Sequence, residues 1–167
     1  NGDFSREYDQ YVNDISLYIC QYNRGKKGIA IDMRSEEGKK VVLDLVAQVD
    51  IVIENFKAGT LEKLGLGYDK MVEVNPSLIY GSISGLGTYG PQSGQAGDAP
   101  IKPGFSMCDT WAGLKMMRGL SMALLYKQKT GKGLRVDIAM LDCAFYMCEA
   151  PVLEHSATGK FTEKSGN

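Results

Sequence analysis

Residues 28–54 narrow the choice of folds more than any other part of the chain. The run 28–33 (GIAIDM) is short, apolar and β-branched, and reads as a strand. Ser35, followed by Glu36 and Glu37, carries the signature of a capped helix start. Val41, Val42, Leu45, Val46 and Val49 then recur at helical spacing, and residues 50–54 (DIVIE) are apolar at their centre, as in a strand covered on both faces. A strand, a helix and a strand in so short a span match a right-handed βαβ crossover.

The pattern repeats downstream. Two helical stretches, 60–64 and 68–74, flank Gly65-Leu66-Gly67, and Asn75-Pro76 stops the second of them. Residues 78–83 (LIYGSI) supply a third strand and 134–140 (LRVDIAM), alternating with period two, a fourth. This succession predicts an α/β fold with a Rossmann-like, doubly wound parallel sheet in a single domain over residues 1–167. The first 28 residues read as an irregular approach and 84–103, rich in Gly, Ser and Pro, as a loop. A final helix is expected over 141–148, ended or kinked by Pro151.

Apolar residues make up 44% of the chain and charged residues 23%, enough for a real core and too little charge for disorder. A net charge of −1 gives no general attraction to nucleic acid or to an anionic membrane, so any anion must be met locally. Neither a long apolar run nor a signal-peptide pattern is present in the sequence, and a cytoplasmic setting is expected. Cys20, Cys108, Cys143 and Cys148 form no CxxC array, and buried free thiols are expected; with His155 the single histidine, zinc is not expected. The eight methionines read as core filler.

The chemistry centres on residues 104–129, where a loop with the single carboxylate Asp109 runs into an apolar-striped helix. Leu114, Met117, Leu120 and Leu124 share a face predicted to be buried. A helix start favours an anion by roughly 0.3–1 kcal/mol, which suits a carboxylate nucleophile and equally suits a plain N-cap. On the residues alone capping is the plainer reading. Residues 85–90 match GxGxxG, yet Pro91 follows at once and no helix pattern carries the third glycine, so the match is read as accidental. Two basic clusters, Arg24, Lys26 and Lys27 and then Lys129, Lys132 and Arg135, are able to meet phosphates, although Lys127, Lys129 and Lys132 read more simply as a solvated turn. Asn55 and Phe56 follow a strand's carboxyl end, where open α/β sheets bind ligands, with an amide and a stacking face to offer; a loop that merely turns the chain would look similar.

Five motifs in order, NRGKKGIAIDMRSEEGKK, DIVIENFKAGTLEKLGLGYDKM, NPSLIYGSISGLGTYGP, PGFSMCDTWAGL and TGKGLRVDIAMLD, resemble the family III (CaiB/BaiF-type) acyl-CoA transferases, from about Gly2 to Asn167. The resemblance implies the large-domain portion of an enzyme that moves coenzyme A from an acyl-CoA donor to a free carboxylic acid, working as an interlocked homodimer. No permanently bound cofactor or metal is implied, because CoA and acyl-CoA are substrates. Asp109 matches the family's nucleophile, which passes through an aspartyl-acyl anhydride and an aspartyl-CoA thioester. Ile31 and Arg34 match positions that hold the adenine and phosphates, Asn55 and Phe56 the loop beside the nucleotide, and Lys63 a basic position near the phosphates.

Family chains run to more than twice this length. The domain is therefore expected to be incomplete, with an N-terminal strand, a segment near 91–92 and the C-terminal small domain outside it, and these 167 residues are not expected to catalyse alone. Two other functions fit the residues. One is an acyl-CoA racemase of the same superfamily, which uses a His and an Asp for proton transfer, although SMCDTWAGL differs from its glycine-rich version. The other is a non-catalytic CoA-binding fragment in which Asp109 only caps its helix.

Overall fold

The computed structural model describes residues 4–7, 11–85 and 106–160. A 3-10 turn at Phe4–Glu7 precedes a small hairpin, β1 (Tyr11–Val12) and β2 (Ile15–Ser16), and the helix α1 (Leu17–Asn23). The hairpin turns on Asn13 and Asp14, both at positive φ, as a two-residue turn between antiparallel strands requires. Ser16 caps α1 by accepting from the Ile19 N–H. This region is thus more ordered than the irregular approach expected of it, and its signals were an Asn-Asp pair and a capping serine.

Next come α2 (Glu36–Val46), β3 (Ile51–Glu54), α3 (Thr60–Lys63), α4 (Tyr68–Val74), β4 (Ile79–Ser84), α5 (Met107–Thr130), β5 (Arg135–Ala139), α6 (Met140–Met147) and α7 (Glu149–Thr158). The sheet is parallel, in the order β3-β4-β5, with Ile51 opposite Ile79 and Tyr80 opposite Arg135. Both faces are covered. On one, Val46, Leu61, Leu66 and Met71 pack against Leu78 and Tyr80. On the other, Met116, Leu120 and Ala123 of α5 pack against Ile79, flanked by Ile51, Ile83, Val136 and Ile138. This is the expected α/β architecture, a Rossmann-like portion with a sheet wound on both sides.

Several expectations are corrected. Residues 28–33 form no strand: β3 pairs only with β4, its outer edge carries no ladder to them, and Ile29 is 67% exposed. For the same reason β3 is an edge strand. α5 crosses β4 and β5, and Ile53 stays exposed instead of covered on both faces. The final helix breaks at Cys148, and the chain then continues helical through Pro151 as α7; a proline in a first turn loses no intrahelical bond, since the N–H groups there have no partner anyway.

The face of α5 is also corrected. Of the four residues expected inside, only Leu120 is buried, and Leu114, Met117 and Leu124 are exposed. The buried set is Ala112, Met116, Leu120 and Ala123. The helix carries two overlapping apolar series, and the one with the smaller residues faces the sheet because the approach is close: a Cβ on Gly119 would lie 2.6 Å from Val136 Cγ1. The methionines divide accordingly. Met71 and Met116 are core, while Met117 and Met122 lie at the surface. Lys127 is no solvated turn residue, since its Nζ pairs with Asp50 at 2.8 Å and ties the end of α5 to the start of β3.

Asn75, read as a helix stop, does more than stop α4. Its Nδ2 donates to the carbonyls of Val46 (3.0 Å) and Val49 (2.9 Å), and its Oδ1 accepts from the Ser77 N–H and hydroxyl. One side chain thereby joins the ends of α2 and α4 to the start of β4. Asn75→Ala is expected to lower the unfolding free energy by about 2 kcal/mol, read as a shift of the urea midpoint at unchanged slope. An unmoved midpoint would show that these bonds carry no net stability.

Candidate active site

The three strands run the same way, so each βα loop leaves at one edge of the sheet, the carboxyl edge. α2 leads into the start of β3 and α5 into the start of β5, so the first turns of both helices also sit at that edge. The residues that the family resemblance assigns to the site belong to it. Ile31 and Arg34 precede α2, Asn55 and Phe56 follow β3, Lys63 ends α3 shortly beyond, and Asp109 opens α5.

The approach to α2 is a fixed turn. The Asp32 carboxylate accepts from the Arg34 N–H at 3.0 Å, Ser35 Oγ donates to the Asp32 carbonyl at 2.9 Å, and the Gly38 N–H donates to Ser35 Oγ at 3.0 Å. This leaves Ile31 half-buried and the Arg34 side chain exposed. The expected cap at Ser35 is present.

The loop after β3 is tied to β4 at consecutive positions. Asn55 Nδ2 donates to the Ile83 carbonyl at 2.6 Å, and Glu54 accepts from the Phe56 N–H at 2.7 Å through one carboxylate oxygen and from Ser82 Oγ through the other. The Phe56 ring is 42% exposed, and Gly59 at φ 79° turns the chain into α3, which leaves Lys63 exposed. Beneath the loop, Tyr80 and Tyr68 meet edge to face, with the Arg135 guanidinium 5.2 Å from the Tyr68 centroid and 5.7 Å from that of Tyr80. Burial first, and then the negative field of Glu54 and Glu62, holds the Tyr80 hydroxyl protonated well above its usual range.

Asp109 is the third residue of α5, exposed. Ser106 and not Asp109 takes the N-cap position, so the capping reading fails in its simple form: the carboxylate lies within the first turn, where it still meets the positive end of the dipole. Cys108 beside it is half-buried, and Met107 and Trp111 are partly exposed. Lys115 Nζ stands 3.8 Å over the Tyr146 ring, near buried Cys143, whose thiol is raised by burial against the pull of that lysine. Only Cys143 fits the expectation of buried thiols fully, since Cys20 and Cys148 are exposed. Among the described residues no hydrogen bond or ion pair joins Asp109 to Ile31, Arg34, Asn55, Phe56 or Lys63; α5 and α2–α3 occupy opposite layers of one edge. Residues 86–90 of the GxGxxG match lie outside the described residues.

Sequence reasoning passed over the polar row that crosses the sheet beneath this edge. Glu54 is opposite Ser82, and Ser82 opposite Asp137, one polar residue per strand on a single face. The signal was a polar residue at matching depth in each of IVIE, IYGSIS and RVDIA. A cavity of about 470 Å³ lies between α2 and α4, with Leu43, Ala47, Leu64 and Val74 in its wall, and includes none of Ile31, Arg34, Asn55, Phe56, Lys63 and Asp109. Among the described residues no group of His, Cys, Asp and Glu side chains converges as metal ligands would, and no helix is long and apolar enough to cross a membrane.

Comparison with known proteins gives these residues a family. The model of CoA-transferase family III matches residues 1–97 and 92–167, and the chain belongs to that family. It is 34% identical to an acetyl-CoA:oxalate CoA-transferase of Acetobacter aceti, across 100% of this chain and 48% of that protein. It is 32% identical to a succinyl-CoA:mesaconate CoA-transferase of Haloarcula hispanica, across 99% and 49%. The crystal structure of a CaiB/BaiF family protein from Brucella suis superposes with a TM-score of 0.85 at 34% identity, covering 98% of this chain and 50% of that one. The chain spans about half the length of these relatives.

The turn before α2 has a sharp test. A Cβ on Gly38 would sit 1.9 Å from the backbone oxygen of Asp32, so any side chain there forces open the turn that carries Ile31 and Arg34. Gly38→Ala is expected to cost about 2–3 kcal/mol in urea unfolding, against less than about 0.5 for the exposed Glu37→Ala. Equal effects of the two would mean that the turn yields without cost.

Proposed function

We propose that the protein to which this large-domain portion belongs is a CoA-transferase, moving coenzyme A from an acyl-CoA donor to a free carboxylic acid. The observation that carries the reading is the exposed carboxylate of Asp109 in the first turn of α5, at the same sheet edge as the Asn55–Phe56 loop. One Asp109 oxygen attacks the donor thioester carbonyl. The C–S bond breaks, CoA leaves as thiolate, and an aspartyl-acyl anhydride remains. The thiolate then attacks the Asp109 carbonyl, releasing the donor's acid with one oxygen from Asp109 and leaving an aspartyl-CoA thioester. The acceptor carboxylate displaces this thiolate to form a second anhydride. Attack of CoA on the acceptor's carbonyl gives the new acyl-CoA and regenerates Asp109.

In this reading the handle of the substrate lies on the opposite layer. Ile31 and the exposed Phe56 ring take the adenine, and Arg34 and Lys63 meet the phosphates. Asn55 gives one amide N–H to Ile83, which leaves its second N–H and Oδ1 for the ligand. Homodimer formation is part of the proposal, supported by the apolar outer face of α5, where Leu114, Met117, Met122 and Leu125 are exposed. A cytoplasmic setting is supported by the free, exposed thiols of Cys20 and Cys148. The meeting of the two family matches at 92–97 supports a further segment near 91–92 in the relatives.

Incubating the full-length protein with a panel of acyl-CoAs should give a covalent acyl or CoA adduct on the peptide holding Asp109, seen by mass spectrometry. Asp109→Asn should abolish the adduct and lower kcat by about a thousandfold or more. Exchange of the substrate's α-proton with deuterated water, without an adduct, would instead identify proton-transfer chemistry and overturn the reading. For the nucleotide loop, Phe56→Ala should weaken CoA binding by about tenfold in calorimetry, the scale of one lost base–aromatic stack. Unchanged binding would remove Phe56 from the site.

A further inference from the structure

Glu54 takes no part in the proposed chemistry, yet its side chain connects more elements at the carboxyl edge than any residue proposed to touch the substrate. It sits at the end of β3, half-buried, on the sheet face that packs against α3 and α4. A carboxylate in such a place is costly unless its oxygens are satisfied. Here both are, by groups from different elements: the Phe56 N–H of the loop on one oxygen and the hydroxyl of Ser82, fully buried on β4, on the other. The bond to Phe56 is a short charge-assisted one at 2.7 Å, made by the backbone of the residue whose ring is exposed.

The neighbouring tie strengthens the case. Asn55 Nδ2 holds the Ile83 carbonyl, so residues 54 and 55 grip β4 at successive positions, 82 and 83. With its amide fixed from behind and its predecessor fixed to the strand, Phe56 has little freedom in the direction of its Cα–Cβ bond. Glu54 is well chosen for the task, since it offers one acceptor to each of these two donors, with the Tyr80 hydroxyl also close to its carboxylate. Aspartate is one methylene too short to reach both groups. Glutamine keeps the length, accepts from the Phe56 N–H through its oxygen, and donates to Ser82 Oγ through its nitrogen.

We propose that Glu54 is a positioning residue for nucleotide binding: through the Phe56 amide and Ser82 it sets the direction of the Phe56 ring and does not itself touch the ligand. This rests on the reading of Phe56 as a CoA contact, and the test separates the two. Coenzyme A binding to the full-length protein is measured by calorimetry for wild type, Glu54→Ala, Phe56→Ala and the double variant. Glu54→Ala should weaken binding by about tenfold in the wild-type background and by less than about twofold in the Phe56→Ala background, because a residue that acts through the ring has nothing left to position. Glu54→Gln should bind within about threefold of wild type and Glu54→Asp should resemble Glu54→Ala. Should Glu54→Ala fail to fold, Ser82→Ala, which removes one of the two ties, enters the same cycle with the same expected non-additivity. Equal losses in both backgrounds, or no loss in the wild-type background while Phe56→Ala weakens binding, would overturn the role of Glu54 alone. Unchanged binding by Phe56→Ala, or no CoA binding by wild type, would overturn the loop reading and this inference with it.

Discussion

Strand β4 is hydrogen-bonded on both edges and covered on both faces, with Ile79, Tyr80 and Ser82 almost wholly removed from water. The rest of the structure is arranged around that burial. Its odd-numbered side chains, Ile79 and Ile83, require α5 on one face; Tyr80, with Leu78 just before the strand, requires α2, α3 and α4 on the other. A strand satisfied in this way has no free polar group except at its ends. Chemistry is therefore confined to the carboxyl edge, and the tie from Asn55 to Ile83 and the first turn of α5 are both found there.

Much of this fold was legible because local chemistry and tertiary need agree. Ser35 is a cap that does cap, Asn75-Pro76 ends a helix that does end, and Gly131 takes the left-handed conformation that closes α5. Strands at 51–54, 79–84 and 135–139 follow the apolar runs closely. Legibility failed where the deciding partner lies elsewhere in the chain. The run 28–33 has the composition of a strand, yet it forms no ladder with the open edge of β3, and composition does not decide pairing. The two apolar series of α5 are equivalent in period, and only the close approach at Gly119 against Val136 selects the alanine-bearing one. Hydrophobicity alone pointed to the larger side chains, the wrong choice for a helix lying directly on a sheet.

The candidate site divides in the same manner. Asp109 and the Asn55–Phe56 pair were singled out from residue type and position, and the structure finds them at one edge in opposite layers. The polar row of Glu54, Ser82 and Asp137 was invisible, because it exists only once three strands are aligned in register. Single polar residues within apolar strands are easily read as noise. In register Ser82 comes opposite Glu54 and donates to it, which is the condition for keeping that carboxylate inside the fold.

Transfer of CoA through a carboxylate leaves an isotopic record that no other role for Asp109 would leave. With any donor and acceptor pair that supports turnover, the acceptor acid can be supplied with oxygen-18 in its carboxylate and the peptide containing Asp109 analysed by mass after a single turnover of the full-length protein. In the proposed sequence the acceptor's oxygen bridges the second anhydride and stays on the enzyme when CoA attacks the acceptor carbonyl, so Asp109 should gain one labelled oxygen. Turnover that leaves Asp109 unlabelled would contradict its role as the nucleophile.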